Sequence, residues 1–290
     1  MIKLLALDLD GTTLDSRGEI PPVNRLAIRR AEEAGVLVTI ATGRRFRDAR
    51  PVGLELGLNA PLITHNGGLL KYADTFETVA YSLLPPATSL TIVQLGKSSG
   101  GDALVSVDPH GHGTLLYDTV SEDNVPLQKY IRWAQGLHGD EAKHSVVHLA
   151  ALEPVIDQYE VVHISFSGSC RTMRDLDTRL REELGTTATV LSTIYPRLDF
   201  TLIDILPPDT SKGHGVARLA DIKGIGRDEI MTIGDNFNDL EMLEIAGTPV
   251  VMGNADARLR ERKEFYTTLS NDEGGVAAAI ERFILNQENN

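Results

Sequence analysis

The chain has 290 residues, 42% hydrophobic and 24% charged, with a formal net charge of −13 at pH 7 and one cysteine, Cys170. That length and composition describe an ordinary globular protein of one large or two modest domains, with apolar surface enough for a sizeable core. The negative charge argues against nucleic acid and membranes as partners, one cysteine excludes an internal disulfide, and no apolar run approaches the ~18 residues of a membrane span.

No signal pattern precedes the first strand, so the expected compartment is the cytoplasm. Cys170 is expected to be a buried, small apolar residue.

The run Ile2–Leu7 leads straight into Asp8-Leu9-Asp10-Gly11-Thr12. A short apolar run ending on carboxylates reads as a buried parallel strand whose carboxyl end opens on solvent, where open α/β sheets bind ligands. In an extended segment Asp8 and Asp10 point the same way and Leu9 turns into the core. Two such carboxylates suit a divalent metal, and Gly11 and Thr12 let the chain bend away. Pro21-Pro22 opens a helical pattern that runs through Ala34 and stops at Gly35. Val36–Ala41 is a second buried strand, closing on Thr42-Gly43-Arg44 before a helix from about Arg45. A hydroxyl, a glycine and a helix N-terminus in succession can seat a phosphate, or can simply cap the helix.

Pro61–Thr64 is a third strand, ending in His65-Asn66-Gly67-Gly68, where Asn-Gly signals a turn; hairpin strands near Leu69–Tyr72 and Val79–Leu83 follow. Pro85-Pro86 marks a boundary. Beyond it, strands are expected at Leu104–Val107, Gly113–Tyr117, Val161–Phe166, Val190–Ile194 and Phe200–Leu206, with a helix at Arg174–Leu184. Residues 84–206 are the size of a small inserted domain. Lys212 then lies in the first turn of a helix, where its charge opposes the helix dipole and calls for an anionic partner. Ile230–Ile233 is a strand closing on Gly234-Asp235-Asn236-Phe237-Asn238-Asp239. The helix Leu240–Ala246, strand Pro249–Met252, helix Ala255–Arg262, strand Phe265–Leu269 and helix Gly275–Leu285 complete an alternation typical of a parallel sheet covered on both faces.

Taken together, the four motif stretches Asp8-Leu9-Asp10-Gly11-Thr12, Thr42-Gly43-Arg44, Lys212-Gly213 and Gly234–Asp239 resemble those of haloacid dehalogenase superfamily phosphatases. Ile63–Gly68 and Val251–Ala255 are similar to segments of the Cof-type branch, which carries an inserted α/β cap. The resemblance implies an α/β fold: a Rossmann-like, doubly wound parallel-sheet core from residues 1–83 and 207–290, with residues 84–206 as the cap. It implies a Mg²⁺-dependent phosphatase of small phosphomonoesters, such as a sugar phosphate or phosphorylated cofactor. Asp8 would be the nucleophile and Asp10 the general acid and base. Asp8, Asp235 and the Asp10 carbonyl would hold Mg²⁺, with Asp239 orienting that shell. Thr42, Lys212, Asn238 and the backbone N–H groups of Leu9 and Gly43 would hold the phosphoryl oxygens. Arg44, beside Thr42, is positioned to meet the leaving group. The cap would act as a lid that favours soluble small substrates over phosphoproteins.

Other signals weigh less. Gly96-Lys97-Ser98-Ser99-Gly100 fits a serine-hydrolase pattern but precedes a strand instead of following one, and is read as a flexible turn. His110 and His112 fall in a Gly-rich turn, and the pair His144/His148 lacks a zincin glutamate and is read as a helix face. Arg25, Arg29, Arg30, Arg45, Arg47 and Arg50, interleaved with acidic residues, read as solvated helix surface. No Walker A or dinucleotide fingerprint is present. A phosphomutase on the same scaffold and a non-enzymatic phospho-ligand sensor remain alternatives, although a sensor has no need of both Asp8 and Asp10. The motifs say nothing of oligomeric state.

Overall fold

A computed structural model describes residues 1–137 and 145–286; His144 lies outside them. Fourteen strands and nine α-helices follow one another among these residues. In order they are β1 (Leu4–Leu7), α1 (Pro22–Glu33), β2 (Leu37–Ile40), α2 (Phe46–Leu56), β3 (Leu62–Thr64), β4 (Leu69–Lys71), β5 (Thr78–Tyr81), α3 (Pro86–Ser98), β6 (Asp102–Val107), β7 (Thr114–Tyr117), α4 (Val125–Leu137) and β8 (Val146–His148). There follow β9 (Val161–Gly168), α5 (Cys170–Leu184), β10 (Thr189–Tyr195), β11 (Phe200–Leu206), α6 (Lys212–Lys223), β12 (Ile230–Gly234), α7 (Leu240–Ile245), β13 (Thr248–Val251), α8 (Ala257–Arg260), β14 (Tyr266–Thr267) and α9 (Gly275–Phe283). Packing divides the chain into two compact units: Met1–Ala80 with Ser211–Asn290, and Tyr81–Thr210.

The first unit is built on a parallel sheet in the order β14-β13-β12-β1-β2, extended beyond β2 by a parallel bridge from Ala41 to Ile63. Every residue of β1 is buried. Leu4 and Ala6 join Val216, Leu219 and Met242 in the core beneath α6 and α7, while α1 packs against α9. Burial on both faces is why this strand reads as an unbroken apolar run. From β1 the chain first proceeds to β2 and β3 on one side; it returns to β12 on the other and proceeds to β13 and β14. The topological switch therefore lies between β1 and β12. At such a point the connecting chains depart in opposite directions, and open α/β sheets bind ligands there at the carboxyl ends of the strands.

The second unit is a six-stranded sheet, β10-β11-β9-β6-β7-β8, in which β7 and β8 are parallel and the other neighbours antiparallel. Helices α3 and α5 pack on β9, burying Ile92, Val93, Phe166, Met173 and Leu176 in a common core.

Several expectations need correction. Gly96–Ser98 is the last turn of α3, because Pro85-Pro86 starts a helix that continues to Ser98. Gly96 serves packing: a Cβ there would stand 2.1 Å from Phe166 Cζ. Helix α5 begins at Cys170, earlier than expected, because the Ser169 hydroxyl caps it by accepting the Thr172 N–H. Cys170 is thereby only half-buried. His148 belongs to strand β8, where it stacks 5.0 Å from Tyr117 and donates from Nε2 to the Asp118 carbonyl at 2.8 Å. Helix α8 starts only after Asp256, whose carboxylate accepts the Arg258 N–H at 2.9 Å, and β14 is confined to Tyr266–Thr267. Arg50 is no surface arginine: it donates to the Ala73 carbonyl at 2.6 Å and lies 4.2 Å over the Phe76 ring.

The Gly96–Phe166 contact makes a test. Alanine at 96 gains ~1 kcal/mol of helix propensity but overpacks a fully buried ring by ~1–3 kcal/mol. Gly96→Ala is expected to lower the thermal midpoint despite its better propensity; an unchanged or higher midpoint would show that Phe166 has room to move.

Candidate active site

Strand β1 stops at Leu7, and Leu9–Thr13 form a single wide turn. Its closure is local: the Thr13 hydroxyl donates to the Asp8 carbonyl at 2.6 Å and the Leu14 N–H to the Leu9 carbonyl at 3.0 Å. Gly11 takes φ +81°, and a Cβ there would lie 2.5 Å from an Asp235 carboxylate oxygen, so glycine answers both conformation and space. Because the chain winds here instead of extending, the environments of Asp8 and Asp10 diverge, contrary to the parallel alignment expected of a strand. Asp8 is 4% exposed, whereas the Asp10 side chain is 61% exposed.

Around Asp8 three polypeptide segments converge. Lys212 Nζ, on the first turn of α6, donates to Asp8 Oδ1 and to Asp239 Oδ1, each at 2.6 Å. The other Asp239 oxygen accepts the backbone N–H groups of Asp235 and Asn236 at 2.9 and 3.0 Å. Asp235 accepts from the Thr12 hydroxyl at 3.1 Å. Carboxylate oxygens of Asp8, Asp235 and Asp239 all lie within 4.8 Å of one another. Hard oxygen donors at such spacing fit a divalent cation of the Mg²⁺ type. Asp239 is the most fully committed of the set, with Lys212 and two N–H groups on its oxygens, which leaves Asp8 and Asp235 the freer donors. The Asp10 side chain is not a member of this group.

The electrostatics follow from three buried or half-buried carboxylates around one ammonium. Burial disfavours the Lys212 charge, but Asp239 and Asp8 outweigh it and hold the ammonium above its ordinary range. Burial, with the nearby Asp239 and Asp235 charges, pushes Asp8 well above the usual carboxylate range, and Lys212 only partly counters this. Burial and then Asp239 raise Asp235 to about 6. The excess of negative charge is what a bound cation would relieve.

The second motif stands on the neighbouring strand end. Thr42 is 2% exposed; its hydroxyl accepts the Arg44 N–H at 3.1 Å, leaving the hydroxyl proton to donate. The Gly43 N–H has no partner among the described residues. Arg44 holds Asp10 through two bonds, Nε to Oδ2 at 2.9 Å and Nη2 to Oδ1 at 2.5 Å. Burial lowers the guanidinium pKa, while the paired Asp10 raises it, with a net upward shift. Arg44 therefore acts on Asp10 in this state, and that bidentate geometry fixes the carboxylate plane. Asn238 sits exposed in the turn Phe237–Asp239; the structure gives its side chain no bond to the cluster.

Residues to which the sequence reading gave no role also shape the site. Asn254 Nδ2 donates to the Gly11 carbonyl at 2.8 Å, and its Oδ1 accepts the Asn271 N–H at 2.9 Å. Asn271 Nδ2 in turn holds the Leu14 carbonyl at 2.9 Å. The asparagine of Val251–Ala255 is thus a brace for the first loop. The turn after β3 is bonded to the second motif, with Asn66 N–H donating to the Thr42 carbonyl and His65 N–H to the Arg44 carbonyl, both at 3.0 Å.

The chain matches the family described as haloacid dehalogenase-like hydrolase over residues 5–280. It is 33% identical over 297 residues to the 5-amino-6-(5-phospho-D-ribitylamino)uracil phosphatase YwtE of Bacillus subtilis, covering 99% of each chain. It is 28% identical over 265 residues to the pyridoxal phosphate phosphatase YbhA of Escherichia coli, covering 90% of this chain and 91% of the other. A haloacid dehalogenase-like hydrolase from Bacteroides thetaiotaomicron superposes with a TM-score of 0.80 at 25% identity, over 97% of this chain and 99% of that one. No helix among the described residues is long and apolar enough to cross a membrane.

The raised Asp235 sets a sign for metal binding. Its folded value of about 6 exceeds the ordinary 3.8, so the metal-free fold loses stability as pH rises through that window and carries the full penalty above it. A cation bound among these carboxylates would take the place of the proton. Mg²⁺ is therefore expected to raise the thermal midpoint more at pH 7.5 than at pH 5.5, as read by calorimetry. An equal increment at both values would detach Asp235 from the metal.

Proposed function

The chain belongs to the haloacid dehalogenase-like hydrolase family, and from that premise we propose that it is a Mg²⁺-dependent phosphatase of small phosphomonoesters working through an aspartyl-phosphate. The observation that carries the reading is the buried Asp8, bonded to Lys212 at 2.6 Å and ringed by carboxylates at the switch point of the sheet. The substrate class follows the relatives, whose names describe phosphatases of phosphorylated metabolites. We take the cytoplasm, where such metabolites are made, as its compartment, and residues 84–206, which fall within the compact unit Tyr81–Thr210, as its inserted cap.

Asp8 attacks phosphorus, the bond from phosphorus to the leaving oxygen breaks, and Asp10 gives that oxygen its proton. Water then attacks phosphorus, passes a proton to Asp10, and inorganic phosphate leaves with the Asp8 carboxylate restored. Lys212, the Thr42 hydroxyl and the Gly43 N–H hold the phosphoryl oxygens, which is most of what phosphoryl transfer asks of a protein. Asn238, exposed in the turn beside Asp239, is assigned to the same phosphoryl group on the family likeness alone. Mg²⁺ held by Asp8, Asp235 and the Asp10 carbonyl would neutralise charge on the phosphoryl group. Arg44, bonded to both Asp10 oxygens, fixes the carboxyl group in the plane from which it exchanges protons with the leaving oxygen and then with water.

Two variants test the roles. Asp8→Asn replaces the nucleophile by a poor one, and kcat is expected to fall at least ~10³-fold with the fold preserved by circular dichroism; activity within about tenfold of wild type would refute covalent catalysis. Asp10→Asn removes the acid. Its loss should be large for alkyl phosphates and smaller for p-nitrophenyl phosphate, whose leaving group needs little protonation. Equal losses on both esters would take Asp10 out of that role.

A further inference from the structure

The turn that follows β3 is strained. His65, Asn66 and Gly67 have φ of +52°, +50° and +99° in succession, a region that non-glycine residues enter at a cost of order 1–3 kcal/mol each. Its surroundings impose it. Gly67 lies against the start of α6, where a Cβ would stand 2.0 Å from the Ser211 carbonyl oxygen. On its other side the turn is bonded to the Thr42 and Arg44 carbonyls. Asn66 is thus held between the second motif and the helix that carries Lys212.

Its side chain is 4% exposed. Oδ1 is buried with no hydrogen-bond partner, and the carboxamide makes no side-chain bond among the described residues. It lies against the Cα of Gly43, where a Cβ would come within 3.1 Å of Oδ1 and 3.2 Å of Nδ2. Gly43 therefore makes room for this amide as well as for a ligand. Were conformation the only demand at 66, glycine would meet it without strain and without burying an unpartnered amide, which costs ~1–3 kcal/mol. A buried, unpaired polar group facing an anion seat calls for a ligand to pair it.

We propose that Asn66 is a further phosphoryl-binding residue, its Nδ2 donating to a phosphoryl oxygen seated over Thr42 and Gly43. No hydrogen bond fixes which end of the carboxamide faces which way, so rotation about its terminal torsion presents the donor. The proposal rests on the phosphatase reading above. Its chemistry is that of the phosphate dianion, not of the alcohol beyond it, so the effect is common to all substrates.

The test uses the Mg²⁺-loaded full chain with p-nitrophenyl phosphate as substrate and inorganic phosphate as competitive inhibitor. Asn66→Asp keeps the shape and the turn but replaces the donor with an anion. Both KM and the phosphate inhibition constant are expected to rise about tenfold or more, the worth of a hydrogen bond to a charged group. Asn66→Gly keeps the turn and deletes the amide; phosphate inhibition should weaken about threefold or more while the thermal midpoint holds or rises. Phosphate inhibition within about twofold of wild type in either variant overturns the proposal, whatever happens to kcat or the midpoint, because a packing role would spare it. Wild-type protein that neither hydrolyses p-nitrophenyl phosphate nor binds phosphate would instead refute the phosphatase reading itself.

Discussion

A single ammonium, Nζ of Lys212, lies 2.6 Å from both Asp8 and Asp239, and the carboxyl edge of the core sheet is arranged around it. The group is 2% exposed and brings one positive charge to a cluster with three carboxylates. Burying a charge is expensive unless partners and hydrogen bonds compensate. Lys212 has two carboxylate partners, and Asp239 adds two backbone N–H bonds that lock it. The ammonium thereby ties the end of β1, the start of α6 and the loop after β12 into one unit. Removing it would leave buried carboxylates facing each other with no counter-charge, a loss expected to reach both fold and chemistry.

The cluster is still net negative with the lysine in place. A protein optimised only for stability would hardly collect Asp8, Asp235 and Asp239 within 4.8 Å. The surplus is better understood as a demand for cation and phosphate together, since each compensates what the other brings. Asn66 carries a cost of the same kind, in a left-handed backbone and a buried amide oxygen without a partner.

How much of this was legible in the sequence depended on range. The strand-end motifs were, because β1 and β12 are buried on both faces and show it as apolar runs that stop abruptly at carboxylates. The alternation of strands and helices gave the parallel core for the same reason. What the sequence hid was pairing over distance. Lys212 called for an anion, but nothing local said that it would be shared by Asp8 and Asp239. Arg44 was read as facing a leaving group, and it clasps Asp10 through both guanidinium and carboxylate forks. Asn66-Gly67 was read as an ordinary turn, since strain imposed by the Ser211 carbonyl lies far along the chain. In the second unit, Gly96–Gly100 reads as a flexible turn, because composition alone does not reveal a helix-end glycine required by a facing ring.

Asp8 and Lys212 are 204 positions apart, and that separation bears on how the molecule assembles. Closing a loop costs only ~0.6 kcal/mol more for each doubling of its length, so the insertion of Tyr81–Thr210 adds about 1 kcal/mol to bringing the two together. At equilibrium the insertion is nearly free; in time it is not, because β1 and β12 must find each other across most of the chain. A nascent polypeptide therefore carries Asp8, Asp10 and Thr42 long before the ammonium that makes Asp8 tolerable has been synthesised. Until Lys212 emerges from the ribosome, the first strand's acidic end has reason to remain in water, and the core's completion is tied to the arrival of the segment that carries that lysine.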